Sequence, residues 1–353
     1  MTPTRTLKRI GVLFGLENSF PGALVEEINQ RNVAGVRAGF VELGPAALPH
    51  QIATANPEPR YNVLIDRIAH RVPFYRAWLK AAVLEGSVVM NNPFWQSVDD
   101  KFLNYALARR LGLAVPATVL LPHREPPSQL TPRSLRNLEV PLNWDRVFDE
   151  VGTHGYLKPI DGGGWRDVHF VQSRAEFFAA YEQTRDLCMV YQRAIRWDAY
   201  FRCYVVGGSK VRVMAYDPLR PHAERYRVEN SSTPRALIHR MEREAALVTE
   251  ALGYDFNTVE FALAAGVPYA IDFMNPVPDA DPASVGEANA RWFVEQVADL
   301  AIERALDRAQ ERAQAPALRA SALLGMPERA TRPTRRKARK RTRTGVLAKL
   351  PPL

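Results

Sequence analysis

The sequence predicts a mixed α/β (α+β) protein: a unit of alternating strands and helices, followed by a β-rich, antiparallel remainder. Three observations carry this. Between residues 8 and 90, short β-favouring apolar runs alternate with helical stretches, as in a mostly parallel sheet. Between 156 and 273 the apolar runs include two antiparallel pairs, one turning at Gly207-Gly208-Ser209. The composition of the 353 residues, 46% hydrophobic and 24% charged, is that of a globular chain of two or three domains.

The elements follow in order. Residues 8–14 read as a buried first strand ending at Gly15. Asn18 or Ser19 with Pro21 starts a helix that runs to about Arg31. Further strands are expected at 36–41, 61–65 and 88–90. Ser97 and Asp100 resemble a capping box, Leu103, Leu107 and Leu111 recur every fourth residue, and Gly112 stops that helix, so Lys101 falls in its first turn. A strand at 117–121 precedes a connector with five prolines between 122 and 141. Strands at 156–158, 168–171, 189–192, 201–206 and 210–216 come next. A helix over 235–252 ends at Gly253, and 257–262 pairs with 268–273. Phe293, Val297, Leu300 and Ala301 line one face of a last helix, expected to reach about residue 314.

The formal net charge of +9 belongs to one segment. Ten Lys and Arg with no acid lie between Arg329 and the final residue; without them 37 basic residues face 38 acidic ones, a net of −1. A nucleic-acid function for the whole protein loses its support. The segment itself reads as disordered, open at most to weak, unspecific nucleic-acid contact. Two cysteines, Cys188 and Cys203, exclude a disulfide framework and a Cys-x-x-Cys metal site. No apolar run is long enough for a membrane helix and no secretory signal is evident, so no membrane partner and a cytoplasmic location are expected. The seven histidines form no metal-spaced pair.

Three constellations carry chemistry. Lys158 ends a strand and precedes Gly162-Gly163-Gly164. Glycine N–H groups can cradle phosphate oxygens while a lysine supplies charge, although a flexible hairpin loop would look the same. Glu260 and, twelve residues later, Asp272 lie on apolar strands, with Asn275 close behind. Such hard oxygen donors suit Mg²⁺; an outward-facing acid pair is the plain alternative. Arg202 projects from an apolar strand after Gln192-Arg193-Ala194-Ile195 and Asp198, where it could neutralise phosphate or simply form a salt bridge. Neither a P-loop nor a Gly-x-Gly-x-x-Gly fingerprint is present.

Taken in order, Asp100-Lys101, Lys158 with the triple glycine, Gln192 to Arg202, and Glu260 with Asp272 and Asn275 resemble the ATP-grasp superfamily. Within it, the likeness is to glutathione synthetase-like and RimK-type carboxylate–amine ligases. The resemblance spans about residues 90–285. It implies an ATP-grasp fold with a Rossmann-like α/β domain (1–95), a central lid subdomain carrying the glycine loop (96–190), a C-terminal antiparallel-sheet subdomain with the metal site (191–315) and a disordered basic tail (316–353). It implies ATP with Mg²⁺, or Mn²⁺ in its place, and an ADP-forming ligase acting through an acyl phosphate on small-molecule or peptide carboxylates and amines. A homodimer is the family-level expectation.

Residue by residue, the resemblance gives Lys101 and Lys158 the phosphates, and Gly162, Gly163 and Gly164 the mobile loop over them. Gln192, Arg193, Ala194 and Ile195 become the hinge reading adenine, and Asp198 the ribose contact. Arg202 takes the γ-phosphate and acyl phosphate, with Lys158 as its catalytic partner; Glu260, Asp272 and Asn275 take the metal. Two departures stand out. The usual Glu-x-Asn is Asp-x-x-Asn here, which changes the second metal's coordination or requires a bulged strand. The Gln192-to-Arg202 spacing is also short. A phosphotransferase or a non-catalytic ATP-binding protein would share the ATP half. Asp66-Arg67, Asn91-Asn92 and Asn18-Ser19, at strand ends of the first unit, are candidates for the acceptor substrate.

Overall fold

A computed structural model describes residues 7–44, 59–94, 100–228, 232–273 and 275–307. Ser97, the basic segment and the expected extension of the last helix to residue 314 lie outside them. The first sheet is parallel, with β1 (Lys8–Leu13), β2 (Val36–Phe40), β3 (Val63–Asp66) and β4 (Val88–Met90) in the order β2-β1-β3-β4. Every residue of β3 is buried, as befits a parallel strand covered on both faces. Helix α1 (Phe20–Gln30) turns Phe20, Leu24 and Ile28 inward. Helix α2 (Pro73–Leu84), an addition to the elements read from the sequence, buries Leu79, Ala82 and Val83.

Helix α3 (Lys101–Arg110) is capped by Asp100, whose carboxylate accepts the Leu103 N–H at 2.6 Å. The acid expected at the inner end of a capping box is itself the cap, and Lys101 opens the helix. Asp100→Ala is expected to cost about 1 kcal/mol in urea unfolding.

The second sheet is antiparallel: β5 (Thr118–Leu121), β6 (Gly155–Pro159), β7 (His169–Val171) and β8 (Met189–Arg193), ordered β5-β8-β6-β7. Helices α4 (Trp144–Val151) and α5 (Arg174–Gln183) close a core of their own with it, built from Phe148, Leu157, Phe177, Tyr181 and Tyr191. Neither helix is evident in the sequence. Helix α4 is short, and α5 carries Phe178 exposed beside buried Phe177, which blurs its apolar stripe.

The third sheet is antiparallel, ordered β10-β9-β11-β12, with β9 (Ala199–Val206), β10 (Lys210–Ala215), β11 (Phe256–Ala264) and β12 (Val267–Asp272). The β9–β10 turn holds Gly207 and Gly208 at φ of 60° and 70°, a left-handed backbone that explains both glycines. Helix α6 (Arg235–Leu252) ends on left-handed Gly253 as expected. Helices α7 (Pro282–Val285) and α8 (Glu287–Leu306) complete the fold. Through α8 the first and third sheets share one core: Ile10, Val12 and Phe20 cluster with Tyr204, Phe256, Phe293 and Val297. Among the described residues no helix is long and apolar enough to cross a membrane, and both cysteines are free.

Candidate active site

The third sheet sets a row of charge across three neighbouring strands. Arg202 on β9 lies opposite Glu260 on β11, which lies opposite Asp272 on β12. The second pairing depends on a register shift. Glu260 faces Asp272, yet the next residue, Phe261, faces Ala270, so Ile271 is an extra residue in β12. In a regular ladder Glu260 would face Ile271 and Asp272 would turn to the other side of the sheet. The bulge therefore brings the two carboxylates together. It precedes Asp272, whereas the extra residue of the Asp-x-x-Asn motif follows it. Asn275 is placed separately: its N–H donates to Asn257 Oδ1 at 2.8 Å, and its own Oδ1 accepts the Val277 N–H at 3.1 Å.

Arg202 and Glu260 are largely buried, with side chains 17% and 13% exposed, and Arg202 Nε lies 3.2 Å from Glu260 Oε1. That Nε nevertheless has no hydrogen-bond partner; the contact is an ion pair with poor hydrogen-bond geometry. Arg202 Nη1 donates to the Tyr226 hydroxyl at 3.0 Å, and Tyr200 donates to Glu260 Oε2 at 2.8 Å. Burial pushes the Glu260 carboxyl above its ordinary value and the charge of Asp272 adds to this, against the pull of Arg202, Tyr200 and Lys158.

The second sheet supplies the facing cations. Lys158 on β6 donates through Nζ to Gln192 Oε1 at 2.8 Å, and Gln192 Nε2 donates to Thr118 Oγ1 at 3.0 Å. This chain across β6, β8 and β5 fixes the ammonium without neutralising it. Burial lowers Lys158 to about 8; Asp272 and Glu260 oppose the shift, while Lys101 assists it. Lys101 Nζ donates to the Gly162 carbonyl at 2.7 Å, tying the start of α3 to the glycine loop. Gly162 and Gly164 hold φ of 91° and 72°, where a side chain would strain the loop. Tyr105 on α3 donates to the bulged Ile271 carbonyl at 2.6 Å.

One cavity of about 350 Å³ is lined by both lysines, the three glycines, Gln192, Ile195, Arg202, Glu260, Asp272 and Asn275. Parts of the proposed hinge are committed elsewhere. The Arg193 and Ala194 N–H groups donate to the Ala117 and His154 carbonyls, leaving Ile195 as the hinge residue best placed for a ligand. The Arg193 guanidinium binds the Val151 and Glu150 carbonyls at the end of α4. Asp198 departs from its expected place: it is not among the cavity residues, and its carboxylate accepts the Ala265 N–H at the β11–β12 turn.

Four of the strand-end candidates of the first unit, Asp66, Arg67, Asn91 and Asn92, make bonds within the fold. Asp66 Oδ1 accepts the Ile68 and Ala69 N–H groups, and Asn92 Oδ1 accepts that of Phe94. Asn91 bonds the backbone at Asp255, Phe256 and Pro276. Buried Arg67 pairs with Glu17, donates to the Pro278 carbonyl and lies over the Phe20 ring. Asn91 and Arg67 thus hold the loop behind Asn275, while Asp66 and Asn92 close local turns. Tyr200 and Tyr226, by contrast, join the site without having been read from the sequence. Tyr200 was accessible through the strand period of two, which puts it on the face of Arg202; Tyr226 carries no local signal.

Glu260, Asp272 and Asn275 present oxygen donors, two of them carboxylates on neighbouring strands, with the Glu260 carboxyl raised mainly by burial. The set fits a hard divalent cation. Among the described residues no three His, Cys, Asp or Glu cluster as a metal site.

No protein-family model matches the sequence, and no significant match exists among curated proteins. Solved structures do match. D-alanine–D-alanine ligase from Bacillus anthracis in complex with ATP superposes with a TM-score of 0.58 at 16% identity, covering 87% of this chain and 100% of that one. The ATP-grasp ligase PsnB with minimal precursor, Mg and ADP gives 0.55 at 17% identity, over 84% and 98%. A RimK domain ATP-grasp protein from Sphaerobacter thermophilus gives 0.56 at 16% identity, over 83% and 99%. The described sheets agree with that likeness in kind, and the chain has the ATP-grasp fold.

Proposed function

We propose that the protein is an ATP-dependent ligase, similar to the glutathione synthetase and RimK types, that joins a carboxylate to an amine and releases ADP and phosphate. The observation that carries this reading is the Arg202–Glu260–Asp272 row facing Lys158 and Lys101 across one cavity. ATP-grasp ligases with ATP, or with Mg and ADP, among the similar structures support it.

In this reading a substrate carboxylate oxygen attacks the γ-phosphorus of ATP, the bond to the β-phosphate oxygen breaks, and ADP leaves. An amine then attacks the acyl carbon and expels phosphate, losing a proton. Positioning and charge neutralisation dominate such chemistry. Lys101 and Lys158 hold phosphate oxygens and the glycine loop closes over them. Ile195 borders the adenine. Arg202, with its unpaired buried Nε, holds the transferred phosphoryl group and the acyl phosphate. Glu260, Asp272 and Asn275 would hold Mg²⁺ or Mn²⁺, which when bound neutralises phosphate charge. The lid would be the second sheet with α4 and α5, and the precursor peptide bound by PsnB supports the peptides expected among the candidate substrates.

The test is nucleotide turnover with Mg²⁺-ATP and a panel of amino acids and small peptides. ADP and phosphate appearing only with acid and amine together, and lost in a Lys158→Ala, Arg202→Ala double variant, is the expected result. A stable phosphorylated acceptor would mean a phosphotransferase, and binding without turnover a non-catalytic protein. No ATP binding at all would overturn the reading.

A further inference from the structure

Beyond Arg202 the cavity continues onto the segment after β10, where Pro218, Leu219, His222 and Arg225 line it. None of these residues has a part in the nucleotide half. Resting on the ligase reading above, we propose that this end is the carboxylate-substrate subsite, and that its substrate is a dicarboxylate with an aromatic or branched apolar body. Arg202 receives the reacting carboxyl group and Arg225 the second.

The argument starts from Tyr216, which stands between two guanidinium groups. Arg202 Cζ lies over its ring at 5.2 Å from the centroid, and Arg225 Nη1 reaches its hydroxyl at 3.4 Å. Arg225 Nε donates to the Arg220 carbonyl at 3.0 Å, so the side chain is fixed at both ends. Glu260 compensates Arg202, but among the described residues no carboxylate pairs with Arg225. Arg225 therefore sets a positive field of its own at this end of the cavity, where the nearby acid of the lining, Asp279, is already engaged by His222 and Ser284, and within a cavity that field is felt more strongly than in water. A ligand with a second anion about one ring's length from the first balances that field. A guanidinium is the side chain suited to bind a carboxylate through two parallel hydrogen bonds.

The walls between the two arginines are apolar. Trp197 packs edge-on to Tyr200 at 5.6 Å, Tyr200 neighbours Tyr216 at 5.9 Å, and Pro218 follows. Leu219 stands 72% exposed at the cavity's edge. An isolated exposed leucine is ordinary, but one that continues an aromatic wall inside a cavity offers a contact for an apolar ligand body. A small, wholly polar dicarboxylate would leave this wall against water.

The test uses calorimetry on the full chain with Mg²⁺ and a non-hydrolysable ATP analogue, with phenylsuccinate, succinate and 3-phenylpropionate as probes. Phenylsuccinate is expected to bind on the order of tenfold or more tighter than either of the others. Arg225→Gln should weaken phenylsuccinate and succinate on the order of tenfold to a hundredfold. It should leave 3-phenylpropionate and the nucleotide analogue unchanged, and Arg225→Lys should recover part of the loss. Leu219→Ala should weaken phenylsuccinate but not succinate. Equal affinities for the three probes, no detectable probe binding, or an Arg225→Gln effect of equal size on all of them would overturn the subsite while nucleotide binding leaves the ligase reading standing. Failure of the wild-type protein to bind the nucleotide analogue would remove both.

Discussion

Arg202→Met is expected to lower phosphate release by about three orders of magnitude, the usual loss when a charge-stabilising group leaves a phosphoryl-transfer site. It should also destabilise the protein by about 3–5 kcal/mol, because Glu260 would remain buried opposite Asp272 with its cation gone. The two effects can be separated. Arg202→Met combined with Glu260→Gln removes both charges of the pair, and should regain most of the stability in urea unfolding while regaining no turnover. If the double variant stays as unstable as the single one, the Arg202–Glu260 pair is not what the lost stability measured. If Arg202→Met alone retains near-normal turnover, Arg202 does not hold the transferred group.

Lys158→Met has the opposite balance. In the free protein Lys158 sits at about 8, below the usual 10.5, because burial disfavours its charge. The folded value lies below the unfolded one, so between those two pH values the unfolded chain binds more protons and stability rises with pH. The cost of the buried ammonium is fully present below pH 8 and disappears as pH climbs towards 10.5. Wild-type stability minus that of Lys158→Met should therefore climb by about 3 kcal/mol across that window, in unfolding curves taken at each pH. ATP phosphates would favour the charged lysine, so nucleotide binding should take up close to one proton near pH 9. Calorimetry in buffers of different ionisation enthalpy reads that uptake, and Lys158→Met should abolish it along with about tenfold or more of the nucleotide affinity. A flat difference curve, or uptake unchanged in the variant, would remove Lys158 from the phosphate site.

The parts of the site that were legible in the sequence are those where residue type and strand position suffice. Lys158 at a strand end before three glycines, and Glu260 inside an apolar strand where a buried charge is costly, each have a plain alternative alone, and their order along the chain is what sets them apart. What stayed hidden was register. Nothing local announces that Ile271 is an extra residue, yet without it Asp272 would face away from Glu260. Long-range partners were hidden too. Asn91 and Arg67 look like ligand residues at the ends of parallel strands, and only the fold reveals that partners 185 and 211 residues later in sequence have claimed them. Asp198 shows that an acid following a hinge also serves a turn, since its carboxylate accepts the Ala265 N–H. Helix α4 escaped because eight residues give its apolar period little length to show, and α5 because aromatic side chains on several faces leave no clean period.

The core shared between the first and third sheets has a consequence for how the chain is made. The apolar faces of β1 and α1 find Phe293 and Val297 only after about two hundred residues beyond β4 have been synthesised. At about 5–20 residues per second, that is a wait on the order of ten to forty seconds after β4 has left the ribosome. During this interval the first sheet lacks part of its cover and is open to unwanted association. The second sheet has no such delay: residues 118–193 are contiguous and close a core of their own. The second sheet can thus settle before the first does, although β1 is translated ahead of it.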